Sequence, residues 1–134
     1  MDPEKSKPSL RFSDAEGEPL RDFSAFEKAA EESGETIIWM MNAGMYHKGG
    51  SPVGLCICDG KVVSPLNQND GEGNFFLKPN GLFFLTEQGS EIIETVEWNA
   101  RLISTTLCAT QSGPLLVRRG KLHPEIRPNL PNKL

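Results

Sequence analysis

Apolar residues in this chain gather in short runs broken by glycine, asparagine and proline, a pattern of strands and tight turns. The run Thr36-Ile-Ile-Trp-Met40 is β-branched and aromatic and predicts a buried strand that breaks at Met41-Asn-Ala-Gly-Met-Tyr46. Gly44 permits a sharp turn there, and Asn42 places a neutral donor and acceptor where the strand ends. Val53 to Cys58, the Asp59-Gly60 turn and Lys61 to Ser64 predict a hairpin, because Asp-Gly between apolar runs favours the tight turns that match strand twist. Gly81 to Thr86 and Glu91 to Val96, joined through Gln88-Gly89, predict a second. Leu115 to Arg118, Arg119-Gly120 and Lys121-Leu122 predict a third.

Helical spacing occurs in one place. Phe23, Phe26, Ala29 and Ala30 fall near a 3.6-residue period, Ser24-x-x-Glu27 reads as a capping box, and Gly34 supplies the stop, so a helix is expected over 24–33. Before it, residues 1–9 are polar with two prolines and read as a disordered lead-in. Leu10-Arg-Phe12 reads as a short strand followed by a turn through Asp14-Ala-Glu-Gly17. The expected class is α+β: a mixed, largely antiparallel sheet with one N-terminal helix packed on it.

The hydrophobic content of 37% predicts a modest core, and a net charge of −4 without any Lys/Arg cluster argues against a nucleic-acid partner. No stretch approaches the roughly 18 apolar residues that span a bilayer, and no signal-peptide pattern is visible, which leaves localisation open. Of three cysteines, Cys56 and Cys58 share one face of a strand, where they are poorly placed to bridge, and Cys108 is remote; zinc spacings are absent. Buried free thiols are expected, with no metal and no cofactor. Trp39 and Trp98 are expected in the core.

Several segments carry candidate chemistry. Asn67-Gln-Asn-Asp-Gly-Glu-Gly73 is either a solvated loop or a substrate-facing one that offers Asp70 and Glu72 as acid or base. In Lys78-Pro-Asn-Gly81, Lys78 could meet a phosphate as a point charge and Asn80 a sugar hydroxyl; the segment could equally be a turn opening the next strand. In Gln111-Ser-Gly-Pro114, Gly113 lets a ligand approach the backbone beside Gln111 and Ser112. Ser112 lacks a Gly-x-Ser-x-Gly elbow, which argues against serine-hydrolase chemistry. His47 and His123 lie beside loops without ligand-spaced partners, and His123 is the better placed to line a site.

Taken in order, the blocks Asn42-Ala-Gly-Met-Tyr46, Ser51-Pro-Val-Gly-Leu55, Gly73-Asn-Phe-Phe-Leu-Lys-Pro-Asn-Gly81, Gln111-Ser-Gly-Pro-Leu115 and Gly120-Lys-Leu-His-Pro124 resemble the phosphodiester glycosidase domain family. That family includes the lysosomal enzyme that uncovers mannose 6-phosphate tags, and its bacterial branch is the nearer match. The resemblance implies hydrolysis of a sugar-1-phosphodiester, with a small molecule or glycan carrying a sugar phosphate as partner. It further implies that Asn42, Gly44, Lys78, Asn80, Gln111, Ser112, Gly113 and His123 bind and orient substrate. Family domains continue into an Arg-containing segment and an Asp-Gly-rich loop, so residues 10–134 are expected to form only the N-terminal part, with the catalytic groups beyond Pro128-Asn-Leu-Pro-Asn-Lys-Leu134. A half-domain would expose a strand edge, expected at the Leu115 to Leu122 hairpin, and would self-associate through it. The competing expectation is a non-catalytic carbohydrate- or phosphate-binding module, or a degenerate one.

Overall fold

The computed structural model describes residues 8–124; most of the expected lead-in and the segment after Pro124 lie outside the described residues. Helix α1 spans Phe23–Glu32. Its N-cap is Asp22, whose carboxylate accepts from the Ala25 N–H at 2.8 Å, and not Ser24. With Phe23 already helical, Ser24 sits inside the first turn, where its hydroxyl cannot cap. At the other end Gly34, at φ 71°, donates to Glu31 O, and Glu35 donates to Ala30 O, the paired bonds that close a helix on a left-handed glycine. Ala30 is the helix's buried residue. Leu10-Arg-Phe12 forms no strand: Ser13 makes a single bridge to Pro19 around the expected Asp14–Gly17 turn. Arg11 instead ion-pairs with Glu35 and lies over the Phe26 ring, fastening the incoming chain to the helix.

The sheet has five strands in the order β2-β1-β5-β3-β4, with β1 Cys56–Cys58, β2 Lys61–Ser64, β3 Gly81–Thr86, β4 Gly89–Glu94 and β5 Thr106–Ser112. Every pairing in it is antiparallel. Asp59 and Gly60 both have positive φ, 49° and 74°, as the tight β1–β2 turn requires. β1 is shorter than its sequence suggests, because the Leu55 N–H donates to the Gln111 side chain instead of to a ladder carbonyl. β4 ends before Thr95, whose N–H and hydroxyl both bond to Asn80 and turn the chain into a short 3-10 segment, Thr95–Glu97. β6 Val117–Arg118 and β7 Lys121–Leu122 pair as a separate two-stranded sheet. The hairpin expected at 115–122 is therefore present but is not an edge of the main sheet.

β5 is central, and the core forms on one of its faces. Ile57, Ala109 and Phe84 stand side by side across β1, β5 and β3, with Leu55 and Leu82 beside them, all under 5% exposed. Trp98 packs edge-on to Phe84 at a ring separation of 5.5 Å, and Leu102 and Ile103 close the same cluster. Full burial of Leu55, Ile57, Leu82 and Phe84 contributes about 1.5–3 kcal/mol each. The opposite face carries Cys56, Cys58 and Cys108, all free; Cys56 and Cys108 are buried and Cys58 is half-buried. Desolvation pushes the Cys108 thiol up, and a hydrogen bond from Cys58 draws Cys56 down.

Thr36 to Met40 is not a strand. Ile38 is 75% exposed and Trp39 61%, so Trp39 is not a core residue either. An apolar, β-branched run becomes a strand only where a neighbour completes its ladder, and none of the described strands pairs with this one. Among the described residues no helix is long and apolar enough to cross a membrane.

Candidate functional site

A buried polar knot lies where β5 meets the loops. The Gln111 side chain, 2% exposed, accepts from the Leu55 N–H at 2.9 Å and the Asn67 N–H at 3.0 Å. Its amide donates to Asn67 O at 2.5 Å and to Asn80 Oδ1 at 2.9 Å. That exhausts the hydrogen-bonding capacity of a glutamine amide. Asn80 Oδ1 also accepts from Thr95 Oγ1 at 2.8 Å, and Asn80 Nδ2 donates to Phe75 O at 2.6 Å. Asn80 and Gln111 thus hold together the chain around Leu55, the 67–73 loop and the entrance of β3. Gly113 completes the knot by close approach: a Cβ there would stand 2.5 Å from Phe75 O and 2.7 Å from Asn80 Nδ2.

The knot supports a cleft of about 450 Å³ between two loops, lined by Gly44, Tyr46 and His47 on one side and by Glu72, Phe75 and Phe76 on the other. The 44–47 side is held by hydrogen bonds of Val53 N–H to Met45 O and of His47 N–H to Ser51 O, and by Thr110 Oγ1, which donates to Ala43 O. Gly44 is required twice over: its φ is 134°, and any Cβ would collide with Thr110 Oγ1. Phe75 and Phe76 meet edge to face at 5.1 Å and form an apolar wall. The cleft therefore offers a carboxylate, an imidazole and a phenol against an aromatic surface. That combination suits a polar ligand with one apolar face, as a sugar ring has.

The remaining expected residues fall elsewhere. Lys78, half-exposed, ion-pairs with Asp70. The Lys78 ammonium holds the Asp70 carboxyl below its usual range, so Asp70 stays ionised and is unsuited to donate a proton at neutral pH. Ser112 lines a separate groove of about 170 Å³ with Phe83, Ile92 and Leu115. His123, 4% exposed, lies 3.1 Å from Glu94 Oε1 and joins Glu94, Arg118 and Glu97 in a charged cluster that pins β6–β7 to the end of β4. In that cluster the Glu94 N–H and the Arg118 guanidinium hold the Glu97 carboxyl below the usual range. Asn42 is exposed. Of the expected set, Gly44 and Glu72 alone line the larger cleft. His47 and Tyr46 join them without having been singled out for it; their signal was position within the Asn42–Tyr46 block and directly after it.

Residues 35–131 match the family model described as phosphodiester glycosidase, a span that contains the cleft, the knot and every block noted above. Over 131 residues the chain is 30% identical to the uncharacterized protein YigE of Escherichia coli (strain K12), an alignment that covers 97% of this chain and 50% of that protein. The chain thus spans about half the length of this curated relative. No solved structure matches it.

Proposed function

Since the chain belongs to the phosphodiester glycosidase family, we propose that its cleft binds a sugar-1-phosphodiester, as part of a hydrolase that frees the sugar from its phosphate-linked group. The observation that carries this reading is the open cleft inside the family span, with Glu72 and His47 on its walls. Cleavage at the anomeric carbon builds positive charge on the sugar while an already anionic phosphate departs. The leaving group needs donors more than a proton, and the stabilising groups must be in place before the bond breaks. Tyr46 and His47 supply donors, and Glu72 faces the developing positive charge. Asn80, Gln111 and Gly113 act by fixing the 67–76 wall of the cleft against β3 and β5, while Thr110 fixes the opposite wall through Ala43.

A glycosidase ordinarily uses a pair of carboxylates, whereas Glu72 is the one carboxylate among the described residues that line the cleft. We therefore place the second catalytic group outside this chain. Assayed on a UDP-sugar or another sugar-1-phosphodiester, a full-length relative is expected to turn over and this chain to bind without turnover. In calorimetry, Glu72→Gln or His47→Ala should weaken that binding by about tenfold each, the loss of one hydrogen bond to a charged group. Turnover by this chain alone would refute the missing group, and a full-length relative inert on every such diester would refute the substrate class. The single carboxylate also favours a second reading, a non-catalytic binding module. Binding without turnover by both proteins would select it.

The same reading bears on association. The five-stranded sheet ends in β2 and β4, and Ile92 on β4 is 64% exposed beside Val96 at 78%. Leu116, Val117 and Leu122 of the small hairpin are more than half exposed as well. Arg118 is engaged by Glu94 and Glu97, and Arg119 lies 4.0 Å from Glu97, so Lys121 is the remaining charge of this hairpin that could blunt the surface. We expect self-association through the β4 edge, visible by light scattering at about 100 μM. A stable monomer at that concentration would count against it.

A further inference from the structure

We infer that Cys56 and Cys58 form a two-sulfur clamp for one soft, thiophilic cation of the Cu(I) class. Their side chains leave β1 on the same face, and their Sγ atoms stand 3.8 Å apart. That separation fits one kind of chemistry and not another. Thiolate bonds to such metals are about 2.3 Å long, so two sulfurs on one ion stand about 3.7 to 4.6 Å apart as the angle opens from tetrahedral to linear. A disulfide needs its sulfurs about 2.05 Å apart, and alternate residues of a strand lie about 6.6 Å apart at Cα, the outer limit for a bridge. Two-coordinate Cu(I) sits at the linear end, so capture opens the sulfurs from 3.8 Å toward about 4.6 Å by side-chain rotation, whereas closing a bridge needs a kinked backbone.

The ligand count decides which metal. Zinc takes four protein ligands in a closed site, and among the described residues no group of three or more His, Cys, Asp and Glu side chains could hold a metal ion. Cu(I) is soft enough to prefer sulfur and is satisfied by two thiolates. Two thiols and one Cu(I) give a bis-thiolate complex and release two protons, with no change in oxidation state. Cys58 is half-buried and adjoins the exposed Asp59-Gly60 turn, which gives an ion a way in. Continuing the register of Cys56 with Thr110 and Ile57 with Ala109 sets Cys58 across from Cys108. Cys108 is then a cross-strand neighbour of the pair, and since no three such side chains among the described residues are placed to hold one ion, it is not counted as a ligand.

The test uses the reduced full chain in oxygen-free buffer, titrated with Cu(I) held by a colorimetric bidentate chelator. One equivalent of copper is expected to move to the protein. Cys58→Ser and Cys56→Ser should each weaken binding by about 100-fold or more, and Cys108→Ser by about tenfold at most, the low end for a group outside the ligand shell. If Cys56→Ser does not fold, Cys58→Ser decides, since that side chain is only half-buried. Copper left on the chelator, or retained equally by Cys58→Ser, overturns the site. So does a Cys56–Cys58 disulfide that forms readily in mild oxidant, because it contradicts the spacing.

Discussion

Gln111→Leu is expected to cost the chain about 4 kcal/mol of stability, read as a shift in the urea midpoint. The estimate follows from the groups left behind. The N–H groups of Leu55 and Asn67 and the carbonyl of Asn67 each lose a partner at a side chain that is 2% exposed. A buried group without a partner costs about 1–3 kcal/mol, and partial hydration of the 67–73 loop reduces the sum. Gln111→Glu separates hydrogen bonding from packing, because it keeps the shape but turns an ionised oxygen toward Asn67 O and Asn80 Oδ1, both acceptors. Its carboxyl would be protonated more readily folded than unfolded, so its folded pKa lies above the unfolded value of about 4.3. Stability of this variant should therefore rise as pH falls through that folded pKa. Gln111→Leu melting within about 1 kcal/mol of the parent would mean that the knot does not hold the loops.

Gly113→Ala is expected to destabilise by about 3 kcal/mol, the upper range for overpacking a site that cannot give. Two of the three atoms its Cβ would meet, Phe75 O at 2.5 Å and Leu77 O at 2.8 Å, are main chain and cannot rotate away. The third, Asn80 Nδ2, is committed to Phe75 O. Gly49→Ala is the control: it has no neighbour within 4 Å and no left-handed φ, so its melt should stay within about 0.5 kcal/mol of the parent. Equal melting temperatures for the two variants would remove the steric account of Gly113. Because Phe75 and Phe76 form one wall of the cleft, Gly113→Ala should also weaken ligand binding in whatever fraction still folds.

The sequence by itself determined the features that rest on neighbours in the chain. Asp59-Gly60 and Arg119-Gly120 make their turns because each pair adopts positive φ, a demand met within a few residues. Gly34 ends α1 for the same local reason. The order of the blocks carried the family, since a linear signature needs no knowledge of where its residues lie in space. Tertiary structure alone decided the rest. Asn80 and Gln111 are polar, and polarity does not distinguish an amide that meets a ligand from one whose bonds are taken elsewhere in the chain, as those of Gln111 are by the distant backbone of Leu55 and Asn67. Thr36 to Met40 has the composition of a strand but no partner, and pairing depends on chain that is far away in sequence. His47 enters the cleft only because the 72–76 loop folds opposite it, a juxtaposition that spacing along the chain cannot express.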